Sequence, residues 1–239
     1  MAFGFCQMAI IRFFEDLLFP KRCLGCGEEG SWLCSNCQSS IKVNLTEQCP
    51  ICRQESPGSK TCNNCRDASS LDGLVVIGDY NDKLLQEIIK SIKYDFAEDL
   101  SHCLSPFIAN YFSVNRGYSF DDFVLIPVPL YHRRYLTRGF NQAELISQEI
   151  SQLFGNKIET NYLIRNKYLR PQAGLPAGKR FVNIHNNFKL NKKIEAKLLP
   201  QRVLLVDDVF TTGATTLECA KVLRAGGVKN IWGLALARG

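Results

Sequence analysis

The sequence predicts an α/β protein in which helices flank a parallel sheet, with a small cysteine-rich domain in front of it. The first observation is a short apolar run with β-branched residues, 203–206, followed at once by turn residues and a helical pattern. This order is typical of a parallel strand that is buried on both faces. The second observation is a set of four closely spaced cysteine pairs near the amino terminus. Since 239 residues suffice for one α/β domain and one small domain, we predict domains at 1–70 and 71–239.

The composition is that of a soluble globular protein, because 46% of the residues are hydrophobic and 22% are charged. The net charge of +6 is unevenly distributed. Between residues 122 and 201 the chain has 13 Lys or Arg residues but only 5 Asp or Glu residues. A basic excess of this kind suits a polyphosphate, a nucleotide or a nucleic acid as the partner. Within this segment we interpret four lysines as solvated surface residues: Lys189, Lys192, Lys193 and Lys197.

A largely apolar segment at 8–19 is interrupted by charged residues. Arg12, Glu15 and Asp16 recur at helical spacing, which predicts an amphipathic helix and not a signal peptide. We expect this helix to pack on its own domain, with binding to a membrane surface as the alternative. No segment of the sequence has the length of a transmembrane helix. We therefore expect a cytoplasmic protein.

Eight of the eleven cysteines form four C-x-x-C pairs: Cys23/Cys26, Cys34/Cys37, Cys49/Cys52 and Cys62/Cys65. Two thiolates on one tight turn can bind the same metal ion, and two such turns complete a tetrahedral zinc site. Disulfides are disfavoured because the chain has no export signal, and a redox C-x-x-C motif would usually occur once. The sequence therefore predicts a double zinc ribbon with a structural role, with an iron–sulfur cluster as the alternative.

The spacing leaves open whether one or two zinc ions bind and how the C-x-x-C turns pair. We favour sequential pairing, in which the first turn joins the second and the third joins the fourth. A cross-braced arrangement, in which the first turn joins the third, fits the same spacing. The three remaining cysteines stand in apolar surroundings and are predicted core residues: Cys6, Cys103 and Cys219.

After a polar linker at 66–70, predicted strands and helices alternate. The first helix of this region carries an apolar stripe, with two lysines on its more exposed side: Leu85, Ile88, Ile89 and Ile92, then Lys90 and Lys93. Pro129 ends the second strand because proline cannot donate to a ladder. The predicted elements are a strand at 74–80, helices at 82–94 and 97–112, a strand at 123–128, a helix with Leu145, Ile146, Ile150 and Leu153 on one face, and a last strand at 229–237.

Two adjacent carboxylates, Asp207 and Asp208, stand where the strand at 203–206 is predicted to end. A loop rich in hydroxyl groups and glycine follows, and a helix begins near Thr215. Backbone N–H groups of such a loop and of the first helical turn converge on one point and bind phosphate. Gly213 lets the anion approach closely. Vicinal ribose hydroxyls at the two acids, with a phosphate in the loop, account for both parts of the motif.

A second candidate site follows the strand that ends near Pro127. Its loop carries Arg133, Arg134 and Arg138 before the next helix begins. Arginine binds phosphate oxygens through two parallel hydrogen bonds, which suits a pyrophosphate. Because loops after parallel strands of one sheet open into the same crevice, we expect these arginines beside the acidic pair. An ordinary basic surface turn is the alternative.

A third basic segment lies at 165–184, where cationic residues alternate with proline and glycine. This composition predicts a mobile loop and not a packed element. The residues that we single out in it are Arg170, Lys179 and Arg180.

The stretch at 203–215 closely resembles the PRPP-binding signature of type I phosphoribosyltransferases. The resemblance implies that Asp207 and Asp208 are catalytic and contact the ribose 2′- and 3′-hydroxyls, and that the following loop holds the 5′-phosphate. The loop residues are Thr211, Thr212, Gly213, Ala214 and Thr215. Phe210 departs from the signature, which usually has an aliphatic residue there, but this is a packing position. In these enzymes a flexible loop closes over the substrate, a role that 165–184 could have here, or it could cover a nucleic-acid phosphate.

From about Leu18 to Arg238 the chain resembles the ComF competence protein family. The resemblance rests on the four C-x-x-C pairs, on Pro127-Val-Pro-Leu with Arg138-Gly-Phe-Asn-Gln, on Arg170-Pro-Gln-Ala-Gly-Leu with Lys179-Arg180 and Asn183, and on the PRPP signature. It implies a type I phosphoribosyltransferase-like domain after the zinc-binding domain. It also implies a role in natural transformation, the handling of imported single-stranded DNA at the cytoplasmic face of the membrane with a DNA-translocating helicase as partner.

Three functions fit these expectations: a PRPP-binding module that serves DNA uptake, an active phosphoribosyltransferase with an unidentified acceptor, and a zinc-bearing adaptor whose PRPP site is vestigial. In an enzyme, pyrophosphate would leave the anomeric carbon, and the arginines together with Mg²⁺ carried by PRPP would stabilise it. Intact Asp207, Asp208 and Gly213 argue against the adaptor. We find no element that would recognise a purine or pyrimidine acceptor, which favours the binding module over the enzyme.

Overall fold

The computed structural model describes residues 20–94, 97–166, 187–195 and 198–239. The predicted helix at 8–19, Cys6 and the predicted loop residues Arg170, Lys179 and Arg180 lie outside these ranges. None of the helices in the described ranges combines the length and the apolar character needed to traverse a lipid bilayer.

Four parallel strands form the main sheet in the order β1, β6, β5, β2. These strands are β1 at Gly73–Asp79, β2 at Val124–Pro127, β5 at Arg202–Phe210 and β6 at Asn230–Arg238. A separate antiparallel pair contains β3 at Leu163–Arg165 and β4 at Phe188–Leu190. The register places Leu205 opposite Ile126 on one side and opposite Gly233 on the other. The predicted parallel sheet is therefore confirmed, and β5 lies in its interior.

Helices cover both faces of the sheet. The helices are α1 at Ser35–Ser40, α2 at Asn63–Arg66, α3 at Lys83–Tyr94, α4 at Ala97–His102, α5 at Ser105–Val114, α6 at His132–Arg138, α7 at Gln142–Phe154 and α8 at Ala214–Ala225. Leu204 and Val206 of β5 pack in the core with α3 and α7, whereas Val203 and Leu205 pack with α8. Successive strand residues point to opposite faces, so burial on both faces requires the uninterrupted apolar run that the sequence shows.

The predicted core positions are largely confirmed. The apolar stripe of α3 is at most 2% exposed at each position: Leu85, Ile88, Ile89 and Ile92. Cys219 is fully buried on α8, whereas Cys103 is only half-buried between α4 and α5.

Two predicted boundaries are wrong. The helix predicted at 97–112 is divided into α4 and α5, because Pro106 in the first turn of α5 has no N–H to donate to His102. The strand predicted to end before Asp207 continues to Phe210. It continues because β6 extends equally far and pairs Phe210 with Arg238.

The arginine segment after β2 is also different from the prediction. It forms α6 and not a loop, and the helix ends at Gly139, whose left-handed φ of 83° terminates it. Because the segment is helical, its arginines do not all point toward the same side.

The cysteine-rich region contacts the α/β domain at three places. Its first part lies against the start of the helical layer, where Lys21 Nζ lies 2.7 Å from Asp99 and Gln38 Nε2 donates to the Cys103 carbonyl at 3.0 Å. A middle segment borders β1, where the Asn44 amide donates to the Ile77 carbonyl. Its last part borders the linker before β1, through Thr61.

Candidate functional site

Two tetrads of cysteines in the described chain have their sulfur atoms within 4.8 Å of one another. The first contains Cys23, Cys26, Cys34 and Cys37, and the second contains Cys49, Cys52, Cys62 and Cys65. The sequential pairing is therefore confirmed, the cross-braced alternative is wrong, and there are two sites and not one.

The spacing of the sulfur atoms fits zinc. Cys26 Sγ lies 3.7 Å from Cys34 Sγ, and Cys52 Sγ lies 3.7 Å from Cys62 Sγ. Tetrahedral coordination with Zn–S bonds of about 2.3 Å separates sulfur atoms by roughly the same distance. Although burial opposes ionisation, backbone N–H groups lower the pKa of Cys23 and of Cys49 to about 6. The neighbouring cysteines together with burial raise the pKa of Cys37 and of Cys65 to about 12, so each tetrad releases one proton readily and needs a bound cation to release the rest. Both tetrads are structural zinc sites, because four thiolates leave no open coordination position.

The carboxyl end of the main sheet opens into a cleft of about 510 Å³. It is the crevice in which ligands of open parallel α/β sheets usually bind. Six of the residues singled out from the sequence line it: Asp207, Asp208, Thr211, Thr215, Arg134 and Arg138. The structure thus brings the acidic pair, the hydroxyl-rich loop and two arginines together.

The two aspartates are oriented by backbone amides and by Thr216. The Asp208 amide donates to Asp207 Oδ1 at 2.9 Å, and the Val209 amide donates to Asp208 Oδ1 at 2.8 Å. Thr216 Oγ1 donates to Asp207 Oδ2 at 3.4 Å. Burial, and then the neighbouring charge of Asp208, raise the pKa of Asp207 to about 8. These carboxylates are suited to a partner that donates hydrogen bonds, such as a vicinal diol, or to a cation.

Lys93 is a residue of the cleft that sequence reasoning missed. Its Nζ lies 2.5 Å from Asp208 Oδ2, and its side chain is only 27% exposed. Lys93 is more exposed than the apolar stripe of α3, as predicted, but its contact with Asp208 was not predicted. It lies in the last turn of the helix, at the carboxyl end of the sheet, and neutralises one of the two acids.

The loop at 211–215 has the geometry of an anion-binding site. Gly213 has a left-handed φ of 72°, and a Cβ there would lie 2.3 Å from the Phe210 ring. Phe210 is 2% exposed, which agrees with a packing position. The amides of Thr211, Thr212 and Gly213 donate no hydrogen bond to any residue in the described part of the chain. The first turn of α8 adds further N–H groups beside them.

The helical form of the arginine segment separates its three arginines. Arg134 and Arg138 are four residues apart, so they share one face of α6, and both line the cleft. Arg133 is exposed and is not among the lining residues. Likewise, Thr212, Gly213 and Ala214 shape the loop without lining the cleft wall.

Two further residues of the cleft carry unpaired polar atoms. Arg165 begins the segment that was predicted to be a mobile basic loop, and the prediction is wrong at this residue, because Arg165 ends β3 and pairs with Phe188 of β4. It lies over the ring of Phe188 at 5.1 Å, and its buried Nε has no partner in the described chain. Burial lowers the pKa of this arginine. Gln142 is 4% exposed, and its Nε2 likewise has no partner among the described residues. Buried donors without acceptors are costly, so they indicate a ligand that accepts hydrogen bonds there.

The cleft therefore combines groups of opposite charge. Two oriented carboxylates line it together with Arg134, Arg138, Arg165 and the Gln142 donor. A molecule that carries both hydroxyl groups and phosphate groups matches this combination.

Comparison with known proteins adds to this geometry. Residues 14–66 match the double zinc ribbon domain family. The chain is 36% identical over 232 residues to Competence protein F of Haemophilus influenzae, which covers 92% of this chain and 98% of that protein. It is 28% identical over 215 residues to DNA utilization protein YhgH of Escherichia coli O6:H1, which covers 87% of this chain and 92% of that protein.

A third relative comes from a different group of bacteria. Competence protein ComFC of Streptococcus pneumoniae is 27% identical over 218 residues, which cover 88% of this chain and 89% of that protein. The match to Competence protein F spans both the cysteine tetrads and the cleft residues, so it applies to the whole arrangement. The chain belongs to the competence protein F (ComF) family.

Proposed function

We propose that this chain is a PRPP-binding, phosphoribosyltransferase-like competence protein that handles incoming single-stranded DNA in the cytoplasm during natural transformation. The observation that carries the proposal is the cleft, in which two oriented carboxylates, an anion-binding loop and arginines converge. The names of the relatives, which refer to competence and to DNA utilization, support the cellular role. A DNA-translocating helicase is the protein partner that we propose.

The chemistry of the cleft favours one orientation of PRPP. Its 2′- and 3′-hydroxyls would donate to Asp207 and Asp208, and its 5′-phosphate would accept from the free amides at 211–213. The pyrophosphate would then lie toward the arginines of α6 and β3. Mg²⁺ bound to PRPP would balance the pyrophosphate charge. Lys93 would stay paired with Asp208 beside the ribose.

Calorimetry with PRPP and Mg²⁺ tests the site. The double variant Asp207→Asn/Asp208→Asn should bind PRPP at least ~100-fold more weakly, since the ribose hydroxyls then donate to neutral amides and the negative charge beside them is lost. The matched control is Asp121→Asn/Asp122→Asn, an adjacent pair of exposed acids remote from the cleft, which removes the same charge. Equal affinity of the wild type and the cleft variant would remove the assignment.

An active phosphoribosyltransferase is the second candidate. The orientation of both carboxylates toward one cleft favours it, because they would stabilise positive charge that develops on the ribose ring. The measurement is pyrophosphate release from PRPP with and without candidate acceptors. Release that needs an acceptor and is lost in Asp207→Asn/Asp208→Asn would establish the enzyme, whereas binding without release supports the binding module.

The DNA-handling part of the proposal has its own test. A gel-shift series with single-stranded DNA at increasing salt should show a steep loss of affinity, because several phosphate contacts release counterions. A flat salt response, or no binding, would exclude direct DNA handling while leaving the PRPP site intact.

A further inference from the structure

The turn after the first C-x-x-C pair has the same backbone conformation in both zinc ribbons but a different residue type. In the first ribbon, Gly27 follows the initial C-x-x-C pair with a left-handed φ of 79° and donates to the Cys23 carbonyl at 2.8 Å. In the second ribbon, Arg53 occupies the equivalent position with a φ of 62° and donates to the Cys49 carbonyl at 3.1 Å. Glycine adopts this backbone conformation without strain, whereas arginine does not. An arginine at such a position suggests that its side chain has a function.

The side chain of Arg53 contacts the anion-binding loop. Its Nη2 donates to the Thr211 carbonyl at 3.2 Å and to the backbone oxygen of Gly239 at 3.3 Å. Thr211 is the first residue of the loop at 211–215, in which the amides of residues 211–213 have no acceptor in the described part of the chain. Arg53 therefore connects the zinc-binding turn to the start of that loop.

A second arginine makes the connection in the opposite direction. Arg238, at the end of β6, donates from Nη2 to the carbonyl of Pro50, inside the C-x-x-C turn of the second ribbon, at 3.2 Å. Its guanidinium group also lies 5.4 Å from the centre of the Phe210 ring. The tip of the same ring lies against Gly213, where it leaves no room for a Cβ. The loop thus rests on a ring that is contacted by Arg238, which itself donates to the ribbon.

We propose that the second zinc ribbon is a positioning device for the anion-binding loop, and that Arg53 and Arg238 hold Thr211 and Phe210 in place for the phosphate. The inference rests on the proposed function for its ligand, but the ordering of the loop is independent of any ligand. A loop held in its binding conformation before the anion arrives loses less entropy when it binds, so affinity rises without a new contact. The first ribbon has no equivalent role, because Gly27 has no side chain.

The test uses the full chain with Arg53→Gly, which replaces a strained arginine by the residue that the first ribbon has. This variant should retain both zinc ions and at least the thermal stability of the wild type, because the backbone strain is relieved. Its affinity for PRPP with Mg²⁺ should nevertheless fall by about threefold to tenfold, since one charge-assisted contact to the loop is lost. Arg53→Lys, which retains a cationic donor, should recover part of the affinity. Arg22→Ala, in an exposed ion pair of the first ribbon, should change nothing.

Hydrogen exchange without ligand separates this inference from the proposed function. The amides of Leu217 and Gly239 donate to the carbonyls of Gly213 and Phe210, so they report on the order of the loop. Both should exchange faster in Arg53→Gly than in the wild type and in Arg22→Ala. Unchanged exchange would overturn the positioning role even if PRPP binds. Faster exchange in a protein that binds no PRPP would retain the positioning role and overturn the proposed ligand.

Discussion

The two zinc ribbons have the same arrangement of cysteines but contact different parts of the α/β domain. The first ribbon lies against the helical layer, where Lys21 pairs with Asp99 and Gln38 donates to Cys103. The second reaches the carboxyl end of the sheet, where Arg53 donates to Thr211. Since the metal shell is the same in both, residues outside it decide what each ribbon does. The first ribbon therefore borders the helical layer, whereas the second borders the loop of the proposed binding site.

The largest expected difference comes from the zinc ligands. Cys26→Ser and Cys52→Ser each remove one of four thiolates at an exposed position, and each should leave one bound zinc ion instead of two. Only Cys52→Ser should lower the affinity for PRPP, by about tenfold or more, because the loss of this zinc ligand disorders the ribbon that contacts the loop. Metal analysis and calorimetry on both variants measure this, and equal losses of PRPP affinity would contradict the division of roles.

Two core substitutions distinguish an effect on the stability of the fold from an effect on PRPP affinity. Phe210→Ala should destabilise the fold by ~3–5 kcal/mol and, in addition, weaken PRPP binding, because Gly213 rests on the lost ring. Leu104 is fully buried on the side of the first ribbon. Leu104→Ala should lower the free energy of unfolding by ~2–5 kcal/mol without a separate effect on PRPP affinity. Denaturant unfolding and calorimetry below the unfolding transition give both values. A loss of PRPP affinity in folded Leu104→Ala would contradict the expected difference between the two core positions.

Asp207, on the side of the α/β domain that the second ribbon contacts, should make stability depend on pH. The raised pKa of Asp207 means that the folded state keeps a proton that the unfolded state releases. Stability is therefore lost as pH rises from the ordinary aspartate range toward about 8. Asp207→Asn should remove this loss and raise Tm more at pH 8 than at pH 5, by ~2–4 °C for each kcal/mol gained.

Asp208→Asn is the control for this pH experiment. It should lower Tm, because Lys93 loses the carboxylate with which it pairs. It should also weaken the pH dependence in part, because the charge of Asp208 contributes to the raised pKa of Asp207. If the Tm of Asp207→Asn changes with pH in the same way as the Tm of the wild type, the raised pKa of Asp207 is contradicted.

The smallest effect is expected at the contact of the first ribbon. Asp99→Asn removes a partly exposed ion pair with Lys21, and such pairs contribute only ~0.2–1 kcal/mol. Trp32 Nε1 donates to the same carboxylate at 3.4 Å, so the emission of Trp32 should report the change. PRPP affinity should stay the same. A marked loss of PRPP affinity would show that the first ribbon also influences the site.

Local patterns were sufficient to predict the parts of this fold that short-range chemistry determines. The apolar run at 203–206 and the C-x-x-C spacing are contiguous motifs, and the buried parallel strand and the sequential cysteine tetrads that they predicted are present. The meeting of the acidic pair with the arginines after β2 followed from a topological rule, since parallel strands of one sheet place their carboxyl ends at one edge.

The residues that sequence reasoning missed depend on contacts between distant parts of the chain. Lys93 has no feature in the sequence that distinguishes it from Lys90, and only its place at the end of α3 brings it to Asp208. Arg165 depends on the pairing of β3 with β4, and Arg53 depends on the docking of the second ribbon. For Arg53, the one available signal was its position. An arginine follows the first C-x-x-C pair of the second ribbon, whereas Gly27 follows that of the first ribbon, and the difference is seen when the two ribbons are compared position by position.

The strand order has a consequence for how the molecule assembles. Val75 of β1 pairs with Leu234 of β6, so the first strand made on the ribosome has no neighbour within the sheet until the sixth emerges. Contacts between such distant segments form slowly, and an unpaired hydrophobic strand is prone to aggregation in the meantime. The other edge of β1 is bordered early by Val43 and Asn44, which precede it in the chain. Folding of the cysteine-rich region with zinc would therefore protect the nascent strand before its permanent partner exists.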